Sequence, residues 1–287
     1  MKRIFTLCVA LCSITAVFAQ TDTTGTNSIP KDDTIRIGGM VIIRKPGSKD
    51  RQIIRDKEYT MKNRKAGNQS NVTTNWWIMD IGFANFKDNT DYSSAAAQAY
   101  APGSNATWFD LKDFKSRTIN LWFFMQKLNM VKHVVNLKYG LGLELNNYRY
   151  EQPIRYQETT LAIPNPPRII LDGTMGRSYK KNKLAADYLT IPLMLNFNFT
   201  PDRKKGFGFS AGISGGYLYS ARNKTVTSDE GKKKAKDDFE LERWKLSYIG
   251  EIALGPVRFF GSYAMKSMYE RGLDMKPYNF GFRFSNW

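Results

Sequence analysis

The sequence predicts an all-β protein: an eight-stranded antiparallel transmembrane β-barrel with an N-terminal periplasmic extension. Three observations carry that prediction. Eight runs alternate strictly between apolar and polar residues, the connections between them alternate between long and short, and aromatic residues gather at the ends of the runs. A two-residue period marks a sheet with one apolar and one polar face. The totals agree. The 287 residues carry 43 Lys+Arg against 26 Asp+Glu, a net charge of +17, with a mean hydropathy of −0.46. That hydropathy excludes a multi-span helical membrane protein, and 18 Phe, 15 Tyr and 6 Trp are too much aromatic surface for a disordered chain.

Residues 1–19 read as a secretory signal peptide: basic Lys2 and Arg3, an apolar run over 4–18, and a small-residue cleavage site ending at Ala19. The run is short of the ~20 residues that a helical span needs. Cys8 and Cys12 both lie inside it, and bulky Leu11 argues against lipidation of Cys12. The mature chain is therefore expected to have no thiol, disulfide or cysteine metal site. Losing Lys2 and Arg3 lowers the charge from +17 to +15. Export also predicts that no nucleic acid is a partner.

Residues 20–74 are polar and form the extension, expected to be partly disordered. Only 34–44 (TIRIGGMVIIR) reads as one or two short strands, broken at Gly38-Gly39. Residues 31–65 hold eleven Lys/Arg and five Asp/Glu, a basic stretch read as a solvated arm rather than a dedicated anion site.

The barrel is expected over 75–287. In the first run Trp77, Met79, Ile81 and Phe83 alternate with Asp80, Gly82 and Ala84. The second sets Ile119, Leu121, Phe123 and Met125 against Thr118, Asn120 and Gln126. The third is the cleanest, with Val135, Leu137, Tyr139, Leu141, Leu143 and Leu145 against Asn136, Lys138, Gly140, Gly142, Glu144 and Asn146. The fourth, 189–199, is apolar at odd positions, and the fifth, 207–220, sets Phe, Ile and Tyr against Gly and Ser. The sixth sets Trp244, Leu246, Tyr248 and Ile252 against Lys245, Ser247 and Glu251. The seventh sets Val257, Phe259, Tyr263 and Met265 against Arg258, Ser262 and Lys266. The eighth sets Tyr278, Phe280, Phe282 and Phe284 against Asn279, Gly281, Arg283 and Ser285.

Alternation alone fits both a soluble lipocalin-like barrel, apolar inside, and a transmembrane barrel, apolar outside. Connection lengths discriminate. Those near Met130, at 202–204 and at Gly255-Pro256 are short, while 87–116, 149–183 and 223–242 are long and 270–277 is modest. Short turns on one side and long loops on the other are the pattern of outer-membrane barrels, whose turns face the periplasm. The expected location is the outer membrane, with both termini in the periplasm. Trp76, Trp77, Phe197, Phe199, Phe207 and Trp287 would then ring the periplasmic edge, and Tyr148, Tyr188, Tyr217, Tyr219, Trp244, Tyr269 and Tyr278 the opposite one, as interfacial girdles. Eight strands leave room inside only for packed side chains. Asp80, Lys138, Glu144 and Lys245, with Glu251, Arg258, Lys266 and Arg283, are therefore expected to share the lumen as an ion-pair network that plugs it.

The segment 188–199 (YLTIPLMLNFNF), the Gly-rich run 206–219 and the ending 278–284 (YNFGFRF) resemble PorT-like outer-membrane β-barrel proteins of Bacteroidota. The likeness spans about residues 75 to 287, and the 34–39 lead-in (TIRIGG) resembles an extension found before some of these barrels. It implies an outer-membrane barrel with a role in exporting or assembling other proteins, and assigns no residue to that role. The terminus departs from the pattern: Asn286 takes the lipid-facing position and Trp287 the other.

Catalytic chemistry is not expected. Gly212-Ile-Ser-Gly-Gly216 matches G-x-S-x-G, but Ser214 falls mid-strand on the Gly/Ser face with no helix pattern after it. The chain's one histidine, His133, reads as an interfacial turn residue and cannot make a His-rich metal site. Neither metal nor cofactor is expected. Lys232, Lys233, Lys234 and Lys236 are possible anion contacts, suited to lipopolysaccharide, although residues 223–243 hold six Lys/Arg and six Asp/Glu and read chiefly as a solvated loop. The expected function is non-enzymatic: a structural or accessory barrel binding an envelope or secretion protein through its outer loops or its arm. Its other expected partners are membrane lipid and, during biogenesis, the barrel assembly machinery. The alternative is a lipid- or lipopolysaccharide-modifying barrel enzyme.

Overall fold

The computed structural model describes residues 34–37, 40–43, 70–158, 166–201 and 206–285. The expected signal peptide, most of the extension, and Asn286 and Trp287 lie outside the described residues. The chain divides into residues 1–63 and 64–287. In the first unit β1 (Thr34–Ile37) and β2 (Met40–Ile43) pair antiparallel, with Ile37 opposite Met40.

The second unit holds β3 (Val72–Asp88), α1 (Ala95–Tyr100), β4 (Arg117–Val131), β5 (Val135–Arg149), β6 (Ile154–Tyr156) and β7 (Ile169–Leu171). These are followed by β8 (Tyr179–Asn198), β9 (Phe207–Thr227), β10 (Gly231–Lys236), β11 (Trp244–Leu254), β12 (Val257–Ala264) and β13 (Met275–Phe284). Eight of these strands close a ring in the order β3-β4-β5-β8-β9-β11-β12-β13 and back to β3, every pairing antiparallel. A closed ring leaves no sheet edge to satisfy in hydrocarbon. The apolar face is outermost: Ile191 is 58% exposed, Tyr248 60% and Phe280 53%. A soluble barrel would bury these side chains, so the structure fits the transmembrane reading and not the lipocalin-like one.

The seams are uneven. β8 pairs with β9 over the whole span from Tyr179 to Asn198, whereas β12 meets β13 only from Phe259 to Tyr263. The short turns are built for hairpins. Lys132 and His133 both take positive φ (45° and 57°) between β4 and β5, and Gly255 takes φ 63° between β11 and β12, the left-handed geometry that matches strand twist.

Two departures from the sequence pattern have local causes. The β4–β5 register slips at Phe123, between Trp122 and Phe124. A bulge there inserts one residue and reverses the faces beyond it. Met125, expected on the outer face, is consequently buried inside with Ile78, Trp122 and Met194. The second departure concerns length. β8 begins well before residue 189 and β9 runs on to Thr227, from which β10 returns antiparallel. Much of the expected loop at 223–242 is thus strand. Beyond the outer wall the strict apolar alternation gives way to small and polar residues, so those segments carry no period-two signal.

The main core is not in the barrel wall. At the long-loop end, segments of all four connections pack together: Tyr100 and Phe109 from β3–β4, Ile154, Tyr156 and Ile169 from β5–β8, Phe239 and Leu241 from β9–β11, and Met268, Tyr269 and Leu273 from β12–β13. These form a cap. Tyr148 and Tyr188 point into it from β5 and β8. The expected outer girdle is corrected accordingly: Tyr148 and Tyr188 are buried beneath the cap and Tyr269 within it, while Tyr217, Tyr219 and Trp244 remain exposed on the outer wall.

Candidate functional site

Below the cap the lumen is occupied by charge. Arg283, from β13, forks onto the neighbouring strand: Nε donates to Asp80 Oδ1 at 2.7 Å and Nη2 to Asp80 Oδ2 at 2.8 Å. Its third nitrogen, Nη1, reaches across to Glu251 Oε2 at 2.6 Å. Asp80 also accepts from the indole of Trp122 at 2.7 Å and from Asn120 at 3.2 Å. The Arg283 guanidinium sits 5.5 Å from the Trp122 ring centroid. Trp122 fits because Gly142 faces it, where a Cβ would come within 2.6 Å of the indole. Glu251 is completed by Lys138 at 2.6 Å and Arg258 at 3.2 Å. A separate group nearer the cap pairs Glu144 with Lys245, with Asn146 and Asn279 donating to the same carboxylate at 2.9 and 3.0 Å. Burial on this scale is tolerable because each carboxylate has at least one cation, joined by neutral donors at Asp80 and Glu144 and by two further cations at Glu251.

Seven of the eight residues expected in the lumen are therefore brought together, in two groups. Lys266 is not among them. β12 ends at Ala264, and Lys266 lies exposed in the connection that follows.

The cap has its own polar wiring. The hydroxyls of Tyr150 and Tyr156 lie 2.6 Å apart, as do those of Tyr156 and Tyr269, and Tyr100 donates to the carbonyl of Phe239 at 2.6 Å. Burial pushes the Tyr100, Tyr156 and Tyr269 hydroxyls well above their ordinary range, so they stay protonated and can donate. Glu240 joins Arg168 at 2.7 Å and Arg271 through its Nε and Nη2, and Arg271 lies 5.4 Å from the Tyr100 ring centroid. Phe239 and Glu240 both hold positive φ, 52° and 53°. That conformation costs about 1–2 kcal/mol per L-residue, offset here by the buried Phe239 ring and the two arginines. Sequence reasoning missed this cap. The available signal was the aromatic content of loops assumed to be solvated.

Burial works against the charge on Glu240, but hydrogen bonds from Arg271 and Arg168 outweigh it and hold the carboxyl below its usual range. A lowered carboxylate contributes stability above its unfolded value of ~4.3 and loses it as pH falls through the folded value. Amide exchange over residues 237–243, corrected for intrinsic rate, is expected to stay constant from pH 7 to ~5 and to accelerate below pH ~4. In Glu240→Gln that acid-dependent step should be absent.

Of the four lysines expected as anion contacts, all lie on β10 rather than in a loop. Lys232, Lys234 and Lys236 share one face, while Lys233 points the other way and pairs with Glu230 at 2.9 Å. Ser214 is buried on the inner face of β9, opposite Ser247, and His133 lies in the β4–β5 turn.

An apolar-out, ion-paired, eight-strand ring is the architecture of an outer-membrane barrel. The family model for the outer membrane protein β-barrel domain matches residues 120–273, more than half of the chain. The chain belongs to that family, and its location is the outer membrane. No curated protein matches it.

Proposed function

We propose that this protein is a closed, non-enzymatic outer-membrane barrel with a structural or accessory role. It holds its cap and its basic N-terminal arm toward partner proteins of the envelope. The observation that supports this reading is the double seal: a cap core drawn from four connections lies over a lumen filled by paired charges. Among the described residues that interior is filled by paired charge and covered by the packed side chains of the cap. The resemblance to PorT-like proteins narrows the role to protein export or envelope assembly, with the short turns and both termini on the periplasmic side. The chain enters the membrane after signal-peptide removal, through the barrel assembly machinery.

Purified protein in planar bilayers is expected to give no conductance steps, and crosslinking in intact cells is expected to capture an envelope protein through the cap or the arm. Stable open currents would overturn the reading. So would turnover of phospholipid or lipopolysaccharide that a single rim substitution abolishes.

A further inference from the structure

Above the outer wall, β5, β8, β9 and β10 continue side by side, with their inner faces packed on the cap. Asn182 donates to the carbonyls of Ile154 (2.6 Å) and Gln152 (3.0 Å), and Asn223 donates to Asn182 at 3.2 Å. The alternate residues must face outward. In register across the four strands they read Arg149, Lys183, Lys224 and Lys234, each directly opposite the next. The row above brings Lys181 and Lys232 to either side of Val226, and the row below sets Arg222 opposite Lys236.

Like charges directly opposite one another destabilise a sheet. In these three rows the one ion pair among the described residues is Arg222 with Asp187, at 2.7 Å. Lys183 donates to the Asn147 amide oxygen and Arg149 to the Lys180 carbonyl, neither of which carries charge. One further carboxylate lies close by, Glu158, which accepts from the Lys236 backbone amide at 2.9 Å, and eight cations against two acids leave the lattice short of anions.

Its position says where they come from. On β9 the outward face descends from Arg222 to Ser220 and, across the register shift that falls at Tyr219, to Tyr219 and Tyr217, and Tyr217 packs against Trp244 at 5.0 Å on the exposed wall. The patch therefore faces sideways, at the height where the hydrocarbon ends. From Arg222 to Val226 the rows climb ~10 Å once strand tilt is allowed for, against ~5–8 Å for a phospholipid interfacial zone. A taller headgroup is needed to meet all three rows.

We propose that this lattice is a binding site for the phosphates of a membrane glycolipid, a lipid whose phosphorylated sugar headgroup stands beside the barrel with its acyl chains along the aromatic wall. The Arg149–Lys183–Lys224–Lys234 row supplies the central contacts.

The test uses the full chain in phosphatidylcholine nanodiscs, titrated with lipid A and with its enzymatically dephosphorylated form. Binding is read by native mass spectrometry and by thermal stabilisation. Wild type should bind the phosphorylated lipid at least ~10-fold more tightly, with affinity falling as salt is raised. The triple variant Lys183→Ser, Lys224→Ser, Lys234→Ser should lose that preference, and the corresponding Lys→Arg triple should keep it. The change of gel mobility on boiling checks that each variant is folded. If the serine triple does not fold, Lys232→Ser with Lys234→Ser on β10 replaces it and should reduce the preference at least threefold. Equal binding of the two lipids, or an unchanged preference in a folded serine variant, would overturn the proposal. Displacement by equimolar soluble pyrophosphate would overturn the membrane source.

Discussion

Arg283→Met is expected to destabilise the barrel by about 3–5 kcal/mol, the largest effect of any single substitution in the lumen. Arg283 is the cation shared by two carboxylates from different strands. Without it Glu251 keeps Lys138 and Arg258, but Asp80 keeps only the neutral donors Asn120 and Trp122. An unpaired charge is then left buried, which costs more than the pair itself contributes. Two further variants separate this cause from lost packing. Arg283→Lys should recover little, because a point charge cannot fork onto Asp80 while reaching Glu251. Adding Asp80→Asn to Arg283→Met should restore part of the loss, since the stranded charge is removed, with a coupling of about 0.5–3 kcal/mol. Urea midpoints in detergent, followed by tryptophan fluorescence, measure all three. Equal midpoints for wild type and Arg283→Met would show that the network carries no net stability.

Phe239→Ala is expected to cost about 3–5 kcal/mol and to act on the cap alone. The ring is fully buried against Tyr156, with centroids 5.2 Å apart, and its backbone carbonyl accepts from Tyr100. Its removal hollows the point where three long connections meet. Limited proteolysis should then cut within 89–116, 150–178 and 228–243, while the resistance of the barrel to unfolding by dodecyl sulfate before boiling is retained. A simultaneous loss of both would mean that cap and barrel fold as one cooperative unit.

The strands were legible because one period of two encodes both faces of a wall, and a run such as Val135 to Asn146 leaves no other reading. The lumen charges were legible for the same reason: on a polar face between lipid-facing residues, Asp80, Glu251 and Arg283 have nowhere else to go. Errors arose where alternation is not the controlling physics. Met125 changed sides because the single extra residue at Phe123 carries no sequence signature distinguishing it from its neighbours. Lys266 kept the parity of β12 beyond the end of that strand. Tyr148, Tyr188 and Tyr269 read as girdle residues because a tyrosine at a strand end looks the same beside a lipid headgroup or beneath a folded loop. Which of the two it meets depends on contacts such as Tyr156 with Tyr269 or Tyr100 with Phe239, made between segments more than a hundred residues apart. Local pattern contains no information about them. The basic rows were half visible: the run 232–236 stands out, but Arg149, Lys183 and Lys224 join it only through strand register.

The inequality between the seams has a mechanical meaning. Local openings of a protein begin where the fewest cooperative bonds must break together. In a ring that place is a seam, because separating one pair of strands lets the whole wall uncurl. The short ladder from Phe259 to Tyr263 between β12 and β13 is that place here, and the long β8–β9 ladder, continued upward by β10, lies three seams away around the ring. Pulled or thermally agitated, this cylinder behaves less like a uniform tube than like a cuff with one light fastening.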